Sequence, residues 1–105
     1  MQEKPKVASV IRSDVFVIQK YMELPLLINE RKFDMRLWVL ITHDHRCYLF
    51  KEGYIRMSSY KYTLESEMIE NLAIHLTNNA IQKQDEAYGK LEDGNQLSYA
   101  QATVS

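Results

Sequence analysis

The sequence predicts a mixed α+β fold that is built around an antiparallel β-hairpin. Residues 32–42 are β-branched and aromatic with apolar side chains on both faces, which is typical of a strand in the middle of a sheet. A polar turn at 43–46 and a second β-rich run at 47–52 follow, so the two runs are expected to pair as a hairpin. Residues 63–76 change to helical spacing of apolar side chains, which adds one short helix.

The remaining strands are predicted from local composition and from residues that interrupt a strand. Residues 14–22 are β-branched and aromatic, so they are predicted to form a strand. Residues 23–30 contain Pro25, which cannot donate to a ladder, and are expected to leave the sheet. Gly53 allows a turn that leads into a short strand at 54–58.

The helix is predicted from one apolar stripe and two candidate caps. The stripe consists of four side chains at helical spacing, Met68, Ile69, Leu72 and Leu76. Thr63 or Ser66 could cap its first turn. Residues 77–105 are mostly polar and have few core anchors. A central strand needs cover on both faces and only one helix is predicted, so we expect the sequence to be the middle of a larger domain.

Composition restricts the class of protein. The chain has 105 residues and a net charge of −1, which fits one small domain and gives no general attraction to nucleic acid or to an anionic membrane. No apolar run approaches the ~20 residues of a membrane helix, and the first residues lack the apolar stretch of a secretory signal. The single cysteine, Cys47, cannot form an internal disulfide and fits a reducing compartment. The sequence therefore predicts a cytoplasmic protein that binds neither nucleic acid nor membrane.

The strongest candidate for a site is a group of charges on one strand face. Lys32, Asp34 and Arg36 are two residues apart, so in a strand they lie on one side at a spacing of roughly 6.6 Å. One interpretation is a ladder of ion pairs on an exposed sheet edge. The other is a cleft for a polyanion, because lysine and arginine bind phosphate. Apolar residues continue on the same face, which favours the cleft.

Other segments have two interpretations each. Residues 43–47, HDHRC, contain side chains that bind zinc, but their spacing matches no common zinc site, and a polar hairpin tip is the alternative. Cys47 and His75 form a nucleophile and base only if the fold brings them together, and are otherwise a half-buried thiol and a structural histidine. Residues 75–83, HLTNNAIQK, can bind phosphate, sugar or metal-bound water, or can cap and turn the chain. Residues 19–25, QKYMELP, end a strand and can offer backbone groups to a purine edge.

Four segments together resemble the tubulin–tyrosine ligase family in order and in approximate spacing: VIQKYMELPLLINERKFDMRLWVLI, CYLFKEGYIRMSS, HLTNNAIQK and YGKLEDGN. The resemblance covers about residues 15–97. It implies part of an ATP-grasp fold, an α+β fold in which two lobes hold ATP between sheets, here a mostly antiparallel sheet with a hairpin and one short helix. We expect a polar lead-in at 1–13, the partial domain at 14–97 and a tail at 98–105.

The resemblance also implies an activity. In that family ATP and Mg²⁺ are the cofactors, and the γ-phosphate passes to a carboxylate on the C-terminal tail of tubulin to give an acyl phosphate. The amine of a free amino acid then displaces phosphate. The partners are tubulin, through its acidic tail, and the free amino acid, and the location is the cytoplasm and cytoskeleton, including the cilium or basal body.

A nucleotide site of eight residues follows from the resemblance: Gln19, Lys20, Tyr21, Met22, Lys32, Asp34, Thr77 and Asn78. The first four match the hinge that meets adenine, largely through backbone groups. Lys32 and Asp34 line the ATP site, with Lys32 near the phosphates or the ribose. Thr77 and Asn78 match a Thr-Asn pair that contacts nucleotide.

Three further residues have roles by the same resemblance. Arg36 lies near the acceptor and the phosphate-transfer region, and Arg56 holds the carboxylate of the incoming amino acid, so both are the predicted catalytic residues. Lys83 helps to hold the amino acid or the acceptor. The stretch from Asp34 to Arg56 is closer to tyrosine ligases than to polyglutamylases, whereas Asn79 departs from both, so the amino acid stays open between tyrosine and glutamate.

The resemblance also predicts what this chain lacks. Nothing after Asn95 resembles the late strand on which the family holds magnesium, so no metal ligand is assigned in this chain. We therefore expect a fragment that is inactive alone. Two alternatives stay open, a catalytically dead module that binds tubulin tails and a small zinc-binding domain that uses residues 43–47.

Overall fold

A computed structural model describes residues 15–102. These residues form six strands, which are β1 (Leu27–Ile28), β2 (Arg31–Arg36), β3 (Val39–Ile41), β4 (Cys47–Leu49), β5 (Tyr54–Lys61) and β6 (Gln96–Leu97). They also form two short helices, α1 (Leu72–His75) and α2 (Asn79–Gln82), and two 3₁₀ turns, Ser66–Met68 and Asp93–Asn95. No helix within residues 15–102 is long and apolar enough to cross a membrane.

The main sheet has four antiparallel strands in the order β1-β2-β5-β6. Its core side packs six side chains, Ile28, Ile55 and Met57 with Phe33, Leu97 and Ala102 around them. Phe33 lies opposite Met57 and Asp34 lies opposite Arg56. Because neighbouring residues of a strand point to opposite faces, Asp34 and Arg56 share the face that is turned away from this core. The α+β prediction is confirmed, and the fold is consistent with part of an ATP-grasp domain.

The prediction of one continuous strand at 32–42 was wrong. Leu37 and Trp38 separate β2 from β3, and β3 pairs with β4 in a second sheet of two strands. The predicted hairpin is confirmed, with Val39 opposite Leu49 and a turn at the polar residues 43–46. Gly53 fits the close passage next to β2, because a Cβ there would overlap the carbonyl oxygen of Arg36.

The strand at 32–42 was expected to be central and to need more cover than one helix supplies, and in the described residues its β3 part is exposed together with β4. The apolar side chains of this hairpin line an open groove of about 620 Å³, formed by Trp38, Val39, Leu40, Tyr48, Leu49 and Phe50. The ring of Trp38 lies edge-on to Phe50 at 6.4 Å and tilted against Tyr54 at 5.7 Å. These contacts between side chains connect the hairpin to β5.

The predicted strand at 14–22 was also wrong where it can be compared. Residues 15–22 lie outside every strand, and Val15 to Ile18 are more than two-thirds exposed, whereas Asp14 lies outside the described residues. β-branched side chains favour a strand only when a partner strand and a packing face are present, and no described strand pairs with this segment.

Residues 23–30 do not leave the sheet entirely. Leu27 and Ile28 form β1, and the chain returns to β2 through Asn29 and Glu30. Both turn residues have positive φ, 49° and 62°, as expected of a two-residue hairpin whose twist matches that of the strands. The prediction was wrong because Pro25 lies two residues before β1 and removes no hydrogen bond from it.

The predicted helix at 63–76 was wrong as a single element. The structure has a 3₁₀ turn at Ser66–Met68 and then α1, which begins at a cap that the sequence did not indicate, since Asn71 Oδ1 accepts from the Ala73 N–H at 3.0 Å. The four residues of the predicted stripe are exposed, Met68, Ile69, Leu72 and Leu76. Ala73, Ile74 and His75 are buried instead.

The strand predicted at 54–58 is confirmed and is longer, since β5 continues to Lys61. Residues 98–102 of the predicted tail are described, and Ala102 packs against the core. The lead-in at 1–13 and residues 103–105 lie outside the described residues, and the domain boundaries stay a prediction.

Candidate functional site

The centre of the site is an ion pair between neighbouring strands. Arg56 on β5 donates to both oxygens of Asp34 on β2, from Nε at 2.7 Å and from Nη2 at 2.6 Å. The pair forms because these residues are directly opposite each other in the register of β2 and β5. Two parallel N–H···O bonds fix both side chains, so the geometry is that of a bidentate arginine–carboxylate pair.

Thr77 completes this group from the segment that follows α1. It is buried, and its hydroxyl donates to Asp34 Oδ2 at 2.8 Å. Partial burial by itself raises the pKa of Asp34, but the hydrogen bonds from Arg56 and Thr77 and the charges of Arg56 and Arg36 outweigh it, so the pKa of Asp34 is below its usual value. Asp34 is therefore an ionised carboxylate whose oxygens are already bound.

A second group of side chains surrounds Lys32, which lies two residues before Asp34 on β2. Lys32 Nζ donates to the Tyr21 hydroxyl at 3.1 Å and lies 4.5 Å from the centre of the Tyr21 ring. The same hydroxyl is 2.8 Å from Nδ1 of His75, the last residue of α1. Tyr62 lies edge-on to His75 at 5.6 Å. Burial and the neighbouring Tyr21 hydroxyl raise the pKa of Tyr62 to about 12, so it stays a neutral phenol at physiological pH.

The predicted adenine hinge borders this second group. Lys20, Tyr21 and Met22 line a shallow depression of about 370 Å³ together with Glu23 and Leu24. Gln19 and Lys20 are exposed, and Lys20 forms an exposed ion pair with Glu23 at 3.9 Å. Because Tyr21 lines the depression and also holds Lys32, the hinge is joined to the charged face of β2.

The structure does not bring every predicted site residue into this arrangement. Arg36 is exposed at the end of β2, where its charge still acts on Asp34. Asn78 and Lys83 are exposed at the two ends of α2, where they are its N-cap and C-cap. The structure gives the positions of Arg36, Asn78 and Lys83, and their functional roles stay predictions.

Cys47 and His75 are not brought together as a nucleophile and base. Cys47 is exposed on the β3–β4 hairpin, and His75 is buried against Tyr21 and Tyr62. In the HDHRC segment Asp44 pairs with Arg46 at 2.9 Å, and His45 occupies a tight turn with φ of 62°. Within residues 15–102 no group of three or more His, Cys, Asp or Glu side chains is placed to hold a metal ion.

The sequence interpretation missed a buried polar network that supports the site. Gln82 on α2 accepts from the backbone N–H of Ser59 at 3.0 Å and donates to the carbonyl oxygens of Ala73 and Leu76 at 3.0 and 2.6 Å. Asn95 donates to the hydroxyl of Ser59 at 2.9 Å. The network fixes both ends of the segment that carries Thr77. Gln82 lies within HLTNNAIQK and Asn95 within YGKLEDGN. Their presence in segments that carry the family resemblance was the one sequence feature that could have pointed to them.

The donor set fits a polyanion better than a metal ion. Lys32 presents a cation beside the depression at residues 20–24 through its contact with Tyr21, Arg36 presents a second cation at the end of the same strand, and cations of this kind bind phosphate. Asp34 accepts three hydrogen bonds from Arg56 and Thr77, which use most of the roughly four acceptor positions of a carboxylate. The cations of β2 can therefore bind an anion, and no cluster of three or more potential metal ligands accompanies them within residues 15–102.

The lowered pKa of Asp34 makes a prediction about acid unfolding. The folded protein releases the Asp34 proton more readily than the unfolded chain, so the contribution of Asp34 to stability is full above the usual value of 3.8 and is lost as the pH falls through the lower folded value. We expect Asp34→Asn to be less stable than the parent chain at pH 7 and to lose less stability on acidification. Urea unfolding at several pH values measures this, with Asp93→Asn, an exposed carboxylate, as the control. An unchanged pH dependence in Asp34→Asn would contradict the assignment.

The sequence matches one family model and several known proteins. A family model described as the tubulin-tyrosine ligase family matches residues 1–105. Tubulin glycylase 3B of Tetrahymena thermophila is 43% identical over 81 residues, which are 74% of this chain and 7% of that protein. The probable alpha-tubulin polyglutamylase Ttll1 of the same organism is 36% identical over 83 residues, 77% of this chain and 20% of that protein. Protein monoglycylase TTLL8 of Homo sapiens is 43% identical over 74 residues, 69% of this chain and 8% of that protein.

The chain thus spans between 7% and 20% of the length of these curated relatives. The family model covers all 105 residues, and the segments that carry the resemblance include β2, β5 and the residues around α1 and α2. This chain belongs to the tubulin–tyrosine ligase family.

Proposed function

We propose that this chain supplies part of the nucleotide and amino-acid site of an ATP-dependent ligase that adds an amino acid to the C-terminal tail of tubulin through an acyl phosphate. One observation carries the proposal: Lys32, Asp34, Arg56 and Thr77 lie on one face, next to the depression that residues 20–24 line. Arg56 and Thr77 are 22 and 43 residues from Asp34, and the pairing of β2 with β5 and the packing of α1 bring them together.

The chemistry of the reaction explains the composition of this face. Phosphoryl transfer depends mainly on positioning and on neutralising charge that spreads over the phosphate oxygens. Lys32 supplies a cation held beside Tyr21, and Arg36 supplies an exposed one at the strand end. The acceptor tail and the free amino acid both bring carboxylates, so further cations are needed along the same face.

Arg56 is proposed to hold the carboxylate of the amino acid with the donors that Asp34 does not use. Asp34 accepts from Nε and Nη2, which are two of the atoms that carry the five N–H donors of a guanidinium. The carboxylate of Asp34 fixes the plane of the guanidinium, and the Nη1 edge is then oriented before the ligand arrives. Asp34 therefore acts as the residue that positions Arg56, besides any contact of its own with nucleotide.

The amino acid that is transferred is not fixed by this geometry. Two of the three relatives above are named glycylases and one a polyglutamylase, so glycine joins glutamate and tyrosine as a candidate donor. Two of the relatives' names contain tubulin, which supports tubulin as the partner and the cytoskeleton as the place of action. The cilium or basal body is proposed from the family resemblance alone. ATP is the proposed nucleotide, and Mg²⁺ is proposed to bind through groups other than those of residues 15–102.

Nucleotide binding by the 105-residue chain is the first test. In ¹H–¹⁵N spectra recorded during titration with ATP, we expect shifts to concentrate at residues 19–22 and 32–36 and at Thr77. Lys32→Met should weaken the binding about tenfold, which is the effect of losing one charge-assisted bond. Lys51→Met, at an exposed lysine outside the site, is the matched control and should bind as the parent chain does.

Shifts confined to the β3–β4 hairpin, or equal effects of the two lysine variants, would contradict the nucleotide assignment. Ligation is tested separately with ATP, Mg²⁺, tubulin and labelled glycine, glutamate or tyrosine. We expect no incorporation by the 105-residue chain alone, and incorporation at the rate of a full-length relative would refute that expectation. Binding of an acidic tail peptide without any response to ATP would instead identify a tubulin-tail-binding module.

A further inference from the structure

His75, the last residue of α1, is buried against the Tyr21 side chain that contacts Lys32 of β2. Its side chain is 7% exposed, and it lies between two tyrosine rings. Tyr21 is edge-on at 5.7 Å and Tyr62 is edge-on at 5.6 Å. These contacts hold the imidazole plane, so the direction of its ring nitrogens is set by packing and not by solvent.

The hydrogen bonds around Tyr21 have one consistent direction. The ammonium of Lys32 has donors only, so the Tyr21 oxygen accepts from Nζ at 3.1 Å. The neighbouring Tyr62 donates its own hydroxyl hydrogen to the carbonyl oxygen of Glu23 and gives none to Tyr21. The single hydroxyl hydrogen of Tyr21 is then available to His75 Nδ1, 2.8 Å away. Nδ1 accepts this hydrogen when the imidazole is neutral and carries its own hydrogen on Nε2. The three side chains form a chain of donors that runs from Lys32 through Tyr21 to His75.

The other ring nitrogen of His75 supports a functional interpretation. Nε2 is buried and has no hydrogen-bond partner among residues 15–102. A buried polar atom without a partner is unfavourable, and a histidine that served packing alone would be replaceable by an apolar side chain of similar size. The histidine at this position uses only Nδ1, which is explained if the acceptor at Nδ1 is what matters.

We propose that His75 is a positioning residue whose buried Nδ1 orients the Tyr21 hydroxyl, which in turn holds the Lys32 ammonium in place for the phosphate-bearing ligand. The inference rests on the proposed function for the identity of the ligand. It explains why the adenine-hinge segment and β2 are connected, because Tyr21 belongs to the first and Lys32 to the second. It assigns to Tyr21 a side-chain role in addition to the backbone role expected of the hinge.

Epistasis in the 105-residue chain tests the proposal. Tyr21→Phe removes the hydroxyl at a partly exposed position without leaving a cavity, and should weaken ATP binding about tenfold, the effect of a bond to a charged group. In a Lys32→Met background the same change should have no further effect, because there is no ammonium left to orient. His75→Leu should behave in the same way. His75→Asn should retain most of the affinity, since its amide oxygen can accept from Tyr21.

Additive effects of Tyr21→Phe and Lys32→Met would overturn the proposal, and so would equal losses in His75→Leu and His75→Asn. A readout without nucleotide separates this inference from the proposed function. The ¹H–¹⁵N signal of the Lys32 ammonium should shift in both Tyr21→Phe and His75→Leu and should stay near its original position in His75→Asn. If ATP does not bind while these shifts occur, the positioning holds and the proposed ligand is wrong. If the ammonium signal does not respond to either variant, the positioning itself is refuted.

Discussion

Arg31→Met is expected to destabilise the chain by about 3–5 kcal/mol, the usual cost of breaking a buried ion pair from one side. The guanidinium of Arg31 is buried and donates from Nη1 to the carbonyl oxygen of Ser58 at 2.9 Å and to Glu92 Oε2 at 3.1 Å. Nη2 donates to the other oxygen of Glu92. Methionine would leave the Glu92 carboxylate, itself 12% exposed at its side chain, without its counter-ion. Unfolding in urea, followed by circular dichroism, measures the loss.

The chain offers a matched control in Lys61→Met. Lys61 pairs with Glu30 at 2.5 Å in the same part of the sheet, but both side chains are more than half exposed. Surface pairs contribute about 0–1 kcal/mol, so this variant should be nearly as stable as the parent chain. The double variant Arg31→Met/Glu92→Met should regain part of the stability, because no unpaired charge is then buried. Equal, small losses in Arg31→Met and Lys61→Met would show that the buried pair does not hold Glu92 and the 3₁₀ turn that follows it to β2.

Gln82→Met is expected to cause the second large loss, several kcal/mol, at nearly constant side-chain volume. Gln82 is fully buried, and four of its contacts reach the backbone N–H and hydroxyl of Ser59 and the carbonyl oxygens of Ala73 and Leu76. Each buried group left without a partner costs about 1–3 kcal/mol. The thioether of methionine cannot replace these bonds. Urea unfolding gives the change in free energy, and the Thr77 amide signal reports whether the segment between α1 and α2 has moved.

Gln84→Met is the control, because Gln84 is exposed two residues further along. It should change stability by less than about 0.5 kcal/mol, as surface substitutions usually do. If Gln82→Met were as mild as Gln84→Met, the polar network would not be what fixes α1 and α2 against β5. If Gln82→Met kept its stability but the Thr77 signal moved, the network would position the site residue Thr77 without being needed for the stability of the fold.

Local patterns in the sequence predicted the parts of the site that depend on strand geometry. Lys32 and Asp34 share a face because side chains in a strand alternate, and that rule needs no knowledge of the rest of the chain. The hairpin at 39–49 followed from two β-rich runs around a polar turn, and the structure has it. The family resemblance then selected Arg56 and Thr77, which the structure places within hydrogen-bond distance of Asp34.

Predictions failed where an element depends on partners elsewhere in the chain. Residues 15–22 have the composition of a strand, but a strand forms only with a partner, and no described strand pairs with them. Leu37 and Trp38 have β-favouring side chains, yet the chain leaves the main sheet there because β3 pairs with β4. The helical stripe at 68–76 was weak, and packing against β5 selected Ala73 and Ile74 for burial instead.

The sequence by itself determined the α+β class, the hairpin, the family and the face on which the charges of β2 lie. Each of these depends on residues that are close in the chain or on a pattern of whole segments. Only the tertiary structure decided that Arg31 meets Glu92, that Gln82 joins three segments and that His75 holds Tyr21. The physical reason is that these partners are 61, 23 and 54 residues apart, and a buried polar group selects its partner by position in space, which no local periodicity encodes.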